Sequence, residues 1–181
     1  MSRFLKSPQN ITPFATTLHV GRPNVGNFEF FLSLVQEIFQ RRWFSNDGQV
    51  VRELECRLAK YLGVEHCLLV CNGTIGLQIA AKALQLTGEV IVPAFTFIAT
   101  VHALQWVGLK PIFIDIDPKT HTLDVHKIES LITDKTSAIL GVHVWGNPCD
   151  TQKIEEIAQT YGLSVMYDAA HAFACRHQDK R

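Results

Sequence analysis

Asp168 closes an apolar run, Leu163-Ser164-Val165-Met166-Tyr167, that reads as a buried strand. A carboxylate at the carboxyl end of a parallel strand lies where open α/β sheets bind ligands. Burying it costs free energy unless a cation faces it. That cation need not be protein. The protonated ring nitrogen of pyridoxal phosphate would serve, and an aspartate facing that nitrogen recurs in such sites. His171 follows in Asp168-Ala169-Ala170-His171-Ala172. If the chain turns helical after the strand, Asp168 and His171 face one side. The bland alternative is an Asp that caps the next helix, with His171 merely polar.

Two more segments could do chemistry. Asn72-Gly73-Thr74-Ile75-Gly76 falls between an apolar run and a helical pattern. Gly73 allows a tight turn and Thr74 can cap the helix. The free N–H groups and the helix dipole would there make an anion cup, or the segment is an ordinary βα turn. Pro93-Ala94-Phe95-Thr96-Phe97 ends the next apolar run, and an aromatic side chain there could lie on a heteroaromatic ring or simply join the core. His143 sits at the end of a further strand and is either a site residue or a satisfied buried histidine. The eight histidines and the cysteines lack zinc spacing, so no metal site is expected. No Walker loop, dinucleotide fingerprint or Gly-x-Ser-x-Gly is present.

The elements that must position these groups alternate. Strands are expected at Cys67–Cys71, Glu89–Pro93, Pro111–Ile116, Ala138–Val144 and Leu163–Asp168. Their near-continuous apolar character suits strands covered on both faces. Helices are expected at Thr74–Leu86, Phe95–Val107, Asp124–Ile132 and Asp150–Tyr161, with Asp124 and Asp150 as N-caps and Gly162 just past the last turn. Two earlier helices run from Asn27 to Arg42 and from about Gln49 to Gly63; the second is expected to bury Val51, Leu54, Leu58 and Leu62. Residues 1–26, with three prolines, read as an irregular arm. The pattern predicts an α/β fold, three-layer αβα, with a mostly parallel sheet.

Composition narrows the function. The 181 residues suffice for one domain with a full core. Basic and acidic residues balance at 17 each, which favours neither nucleic acid nor an anionic membrane as partner. Polar residues interrupt every apolar stretch well short of a span, and the first ten residues lack an apolar signal core. Five scattered cysteines suit reduced thiols, so a cytoplasmic protein is expected.

Several segments in one order resemble the DegT/DnrJ/EryC1/StrS sugar aminotransferases, pyridoxal phosphate enzymes of the aspartate aminotransferase fold. They are Gly21-Arg22-Pro23-Asn24, Arg42-Trp43 through Gly48, Asn72-Gly73-Thr74, Val90 through Thr100, Pro111 through Asp117, Val142-His143-Val144-Trp145-Gly146 and Asp168 through Ala172. The resemblance implies that Gly73, Thr74 and Ile75 hold the cofactor phosphate and that Phe97 stacks on its ring. It implies that Asp168 faces the ring nitrogen and that His171 lies beside the ring hydroxyl. It also implies transfer of an amino group, usually from glutamate, to a nucleotide-linked keto-sugar, in a homodimer or larger assembly.

The family's Schiff-base lysine lies downstream of the Asp168 motif, and this sequence stops at Arg181 first. The expectation is an incomplete large domain of PLP fold type I over 27–181, without the C-terminal small domain and without a catalytic lysine. Such a chain would have little or no activity. Two other readings remain: a truncated regulatory paralogue that pairs with a full-length homologue, and an unrelated Rossmann-like small-molecule binder, which would lack its fingerprint.

Overall fold

The computed structural model describes residues 15–17, 19, 21–23 and 25–176. Most of the expected N-terminal arm lies outside these residues. The chain divides into two compact units, the first ending at Val50 and the second beginning at Val51.

In the first unit, helix α1 (Phe28–Arg41) starts at Asn27, whose side chain accepts from Phe30 N–H at 2.8 Å. It stops at Arg42, which takes a left-handed φ of 54°. A Glu37–Arg41 pair at 2.9 Å links successive turns. No residue of α1 is buried, and Phe28, Phe30, Phe31 and Phe39 are exposed. Phe39 meets Phe44 edge-on at 5.1 Å.

Helix α2 (Gln49–Leu62) follows the expected span. Its apolar stripe is not buried as expected: Val51, Leu58 and Leu62 are half-buried, and Leu54 is exposed. Periodicity marks the apolar face of a helix but not what covers it.

Beyond α2 the chain builds an α/β unit from α3 (Gly73–Ala83), β1 (Glu89–Pro93), α4 (Ile98–Trp106), β2 (Lys110–Ile114), β3 (Thr136–Val142), α5 (Thr151–Tyr161) and β4 (Ser164–Asp168). The four strands are all parallel, in the order β2-β1-β3-β4. Alternate residues of β1, β3 and β4 feed two cores, whereas β2 feeds one. Val90, Val92, Ala138, Leu140 and Met166 pack against α3 and α4 on one face. Ile91, Ile139 and Ile114 pack with Ile128 and with Ile154 and Ile157 of α5 on the other. Strands covered on both faces must be apolar throughout, as β1 is. Pro111 is tolerated because β2 is an edge strand.

Two expected elements are replaced. Cys67–Cys71 is not a strand and joins no sheet. Its Leu69 N–H donates instead to the Glu55 carboxylate of α2 at 2.8 Å. Among the described residues the sheet ends at β2 on one side and β4 on the other, and this segment pairs with neither. The expected helix Asp124–Ile132 is two 3-10 turns, Val125–Lys127 and Glu129–Leu131. Val125, Ile128 and Leu131 recur every three residues, the 3-10 period, and all three join the same core. Asp124 caps the first turn through His126 N–H at 3.1 Å. Asp150 and Gly162 cap α5 as expected, the latter at φ 66°.

Glu89 ties the amino-terminal edge of the sheet together. One carboxylate oxygen takes Lys110 Nζ at 2.9 Å, and the other takes the Thr133 hydroxyl at 2.8 Å. These bonds, with the Lys110 charge, hold its pKa below the ordinary 4.5. A group with a depressed native pKa adds stability above its unfolded pKa and loses it as pH falls through the native value. Glu89→Gln is therefore expected to be less stable than wild type near neutral pH, with a gap that closes below about pH 4.5. Urea midpoints measured across this range check it. A gap that persists undiminished in acid would show that the charge is not what Glu89 contributes.

Candidate functional site

The carboxyl ends of the strands carry the site because the chain reverses its winding there. From β1 it crosses through α4 to β2 on one side; from β3 it crosses through α5 to β4 on the other. The loops after β1 and β3 therefore part, and a crevice opens at that switch point. A cavity of about 440 Å³ occupies it. Four segments converge: Gly73 and Thr74 at the start of α3, Phe95 to Phe97 after β1, Val144 and Trp145 after β3, and Asp168 with His171 after β4. Of the six expected site residues, Gly73, Thr74, Phe97, Asp168 and His171 line this one cavity.

The α3 terminus differs from expectation in its cap. Asn72, not Thr74, is the N-cap: its side chain accepts from Ile75 N–H at 3.0 Å, and its carbonyl accepts from Gly76 N–H at 3.1 Å. Asn72 accepts through its own side chain from an extended backbone, which leaves the Thr74 side chain inside the first turn, lining the cavity. Ile75 N–H is thus engaged, whereas the N–H groups of Gly73 and Thr74 have no hydrogen bond among the described residues. A Cβ added at Gly73 would meet no atom within 4 Å, so the space beside this backbone is open.

Asp168 is held at both oxygens. Oδ2 accepts from the Thr100 hydroxyl at 2.8 Å, and Oδ1 accepts from Ala170 N–H at 3.1 Å. No helix follows the strand; a turn brings His171 to the cavity instead. His171 Nδ1 accepts from Trp145 N–H at 3.3 Å, so in the neutral ring the proton sits on Nε2. Phe97 is 71% exposed and precedes α4 in extended conformation.

Sequence reasoning gave no role to Thr100, Thr96 or Trp145, and of the two aromatics in the Pro93–Phe97 segment it assigned one only to Phe97, leaving Phe95 without one. Trp145 has φ 53°, rare for a bulky residue, and packs edge-on against Phe95 at 5.4 Å and His121 at 5.3 Å. The aromatic character of Trp145 and Phe95 is visible in the sequence, but their meeting is not. His143 leaves the site: its ring stacks on Tyr167 at 4.9 Å, and its Nδ1 accepts from Cys149 N–H at 3.1 Å. The buried Cys149 thiol donates to the Val142 carbonyl, and burial pushes its pKa up to about 11, so it is no nucleophile. Among the described residues, no three His, Cys, Asp or Glu side chains gather to hold a metal. No helix among them is long and apolar enough to cross a membrane.

The donor set suits an anionic, heteroaromatic ligand. Two free N–H groups at a helix start offer an anion site. An exposed aromatic face offers stacking, a tethered carboxylate offers a partner to a cationic group, and an imidazole N–H offers a donor to an oxygen. The volume lies in the range of small-molecule pockets.

Comparison with known proteins places this chain among relatives. The DegT/DnrJ/EryC1/StrS aminotransferase family profile matches residues 27–181. The dTDP-4-amino-4,6-dideoxy-D-glucose transaminase of Escherichia coli is 45% identical over 157 residues, covering 87% of this chain and 42% of that protein. A crystal structure of DesI in the presence of its TDP-sugar product superposes with a TM-score of 0.88 at 44% identity, over 92% of this chain and 43% of that one. The Bacillus subtilis NtdA structure with bound cofactor PMP superposes at 0.74 and 37% identity, over 78% of this chain and 33% of that one. The chain spans less than half the length of each of these relatives.

Proposed function

This chain belongs to the DegT/DnrJ/EryC1/StrS aminotransferase family, and from that premise we propose that its cavity holds pyridoxal phosphate. The single observation that carries the reading is the convergence of an open helix start, an exposed Phe97 and a doubly tethered Asp168 on one cavity. The cofactor phosphate would lie on the N–H groups of Gly73 and Thr74 and the Thr74 hydroxyl. Ile75 would contribute only by exchanging its Asn72 cap for phosphate. Phe97 would cover the ring, Asp168 would balance the charge of the ring nitrogen, and the His171 Nε2 proton would face the ring oxygen. When bound, the cofactor supplies an electron sink for the carbon that bears the migrating amino group. Phe95 and Trp145, in edge-on contact, would wall one side of the cofactor.

The complete reaction in this proposal moves an amino group, with glutamate as donor, to a nucleotide-linked keto-sugar. The named activity of the Escherichia coli relative and the TDP-sugar product seen with DesI support that acceptor class. Among the described residues no lysine lines the cavity, so the 181-residue chain alone is proposed to bind the cofactor without turning over. A cytoplasmic location, which suits five free thiols, and a homodimer or larger assembly belong to the same proposal. The outer side of β4 supports assembly, since it has no strand neighbour among the described residues.

Trp145 in the cavity wall reports binding directly. Pyridoxal phosphate is expected to quench tryptophan fluorescence saturably, and pyridoxal without the phosphate should bind far more weakly. Amino transfer from glutamate should not exceed that of the free cofactor. Linear, unsaturable quenching would remove the cofactor reading, and turnover by the purified chain would remove its inactivity.

A further inference from the structure

Thr100 is one of the few buried polar residues among the described residues, and its hydroxyl makes two short contacts. It lies 2.8 Å from Asp168 Oδ2 and 2.8 Å from the Thr96 hydroxyl. A threonine in a helix commonly back-bonds to a carbonyl one turn earlier. This one reaches a carboxylate 68 residues away in sequence. The direction of the bonds follows from counting protons. An ionised carboxylate only accepts, and a threonine hydroxyl has one proton to give. Thr100 therefore donates to Asp168 and must accept from Thr96. Two hydroxyl protons run in one direction, from Thr96 through Thr100 to Asp168.

The other oxygen of Asp168 accepts from Ala170 N–H at 3.1 Å. The carboxylate is thus gripped by two elements that meet only in the folded chain, the first turn of α4 and the turn after β4. Both grips leave lone pairs free for the cavity. A carboxylate with a single tether would swing about its side-chain bonds and lose orientation on binding.

We infer that Thr100 is a positioning residue for Asp168, with Thr96 as its second member, and that this donor chain fixes the carboxylate before any ligand arrives. What Asp168 then faces rests on the cofactor reading above; the donor chain itself rests on geometry alone.

The test uses the full chain and three variants. Thr100→Val keeps shape and removes the hydroxyl, Thr100→Ser keeps the hydroxyl, and Thr96→Val removes only the remote donor. The first readout needs no ligand: amide hydrogen exchange at Ala170. Freeing the carboxylate weakens its hold on that N–H, so Thr100→Val should exchange there roughly tenfold faster, the equivalent of one lost hydrogen bond. Thr100→Ser should stay within about twofold of wild type. The second readout is the absorbance and affinity of 4-deoxypyridoxine 5′-phosphate, which has no carbonyl and so forms no bond to lysine. Thr100→Val should bind it roughly tenfold more weakly, with a changed ratio of protonated to neutral ring, and Thr100→Ser should restore both. Unchanged Ala170 exchange in Thr100→Val, or a Thr100→Ser variant as impaired as the valine, overturns the inference. If Thr100→Val does not fold, Thr96→Val decides: faster Ala170 exchange supports the donor chain and wild-type exchange overturns it. Failure of the wild-type chain to bind the probe, with Ala170 exchange still responding, counts against the cofactor and supports the positioning role.

Discussion

Asp168→Asn is expected to weaken pyridoxal phosphate binding by about a hundredfold, roughly 2.7 kcal/mol. Asparagine is nearly isosteric and its carbonyl oxygen can still accept from Thr100, but its NH2 then faces the Ala170 N–H, donor against donor, so the substitution removes the charge and one of the two tethers with little change of shape. What binding loses is the attraction between a carboxylate and a protonated ring nitrogen. The site is half-buried, where such a pair is stronger than in water. The remaining affinity should come from the phosphate at Gly73 and Thr74 and from the Phe97 face. Any bound cofactor should carry an unprotonated ring nitrogen, visible in its absorbance. Fluorescence titration of wild type and variant checks the affinity. Binding within about twofold of wild type would show that Asp168 does not face the cofactor ring.

Gly88→Ala is expected to cost roughly 3 kcal/mol or more of stability, for two independent reasons. Gly88 has φ 67°, a left-handed conformation that strains any residue with a Cβ. An added Cβ would also collide with the Lys135 carbonyl oxygen, which is backbone and cannot rotate away. That carbonyl is already fixed, because it accepts from Glu89 N–H at 2.8 Å. The Gly88 carbonyl in turn accepts from Lys110 N–H at 2.9 Å. The starts of β1 and β2 and the approach to β3 therefore meet at this one residue. A clash there has to push all three apart. In a chain of this size the melting temperature should fall by about 6 °C or more. Thermal and urea unfolding read it, and a change under about 0.5 kcal/mol would mean that the β1 entry relaxes freely.

Much of this architecture can be read locally. Asp150 caps α5 within three residues of itself, and Gly162 ends it through its own φ. The apolar runs of β1 and β3 announce strands covered on both faces, since each alternate residue needs a core. Gly73, Thr74, Phe97, Asp168 and His171 share one cavity because each follows or precedes an element end. In a parallel α/β unit those ends gather at one edge of the sheet.

Some errors were local as well. Asn72 and Thr74 both carry an oxygen that could cap α3, and the backbone made Asn72 the cap by keeping it extended. The segment Asp124–Ile132 has a helical look but an apolar period of three, and it settles as 3-10 turns around Ile128.

The sequence by itself determined the alternation of β1 to β4 with α4 and α5, the caps of α5 and the residue types at the carboxyl edge of the sheet, because each is set by neighbours a few positions away. Only the tertiary structure decided which distant groups meet. Cys67–Cys71 has the composition of a strand, but a strand needs a neighbour, and Leu69 found Glu55 instead. Thr100 looks like any threonine in the first turn of a helix until the β1–β3 switch brings Asp168 within 2.8 Å of its hydroxyl. Trp145 and Phe95, some fifty residues apart, form one wall because β3 and β1 are adjacent in the sheet. Contacts of this kind depend on topology, and the pattern within any single segment does not encode them.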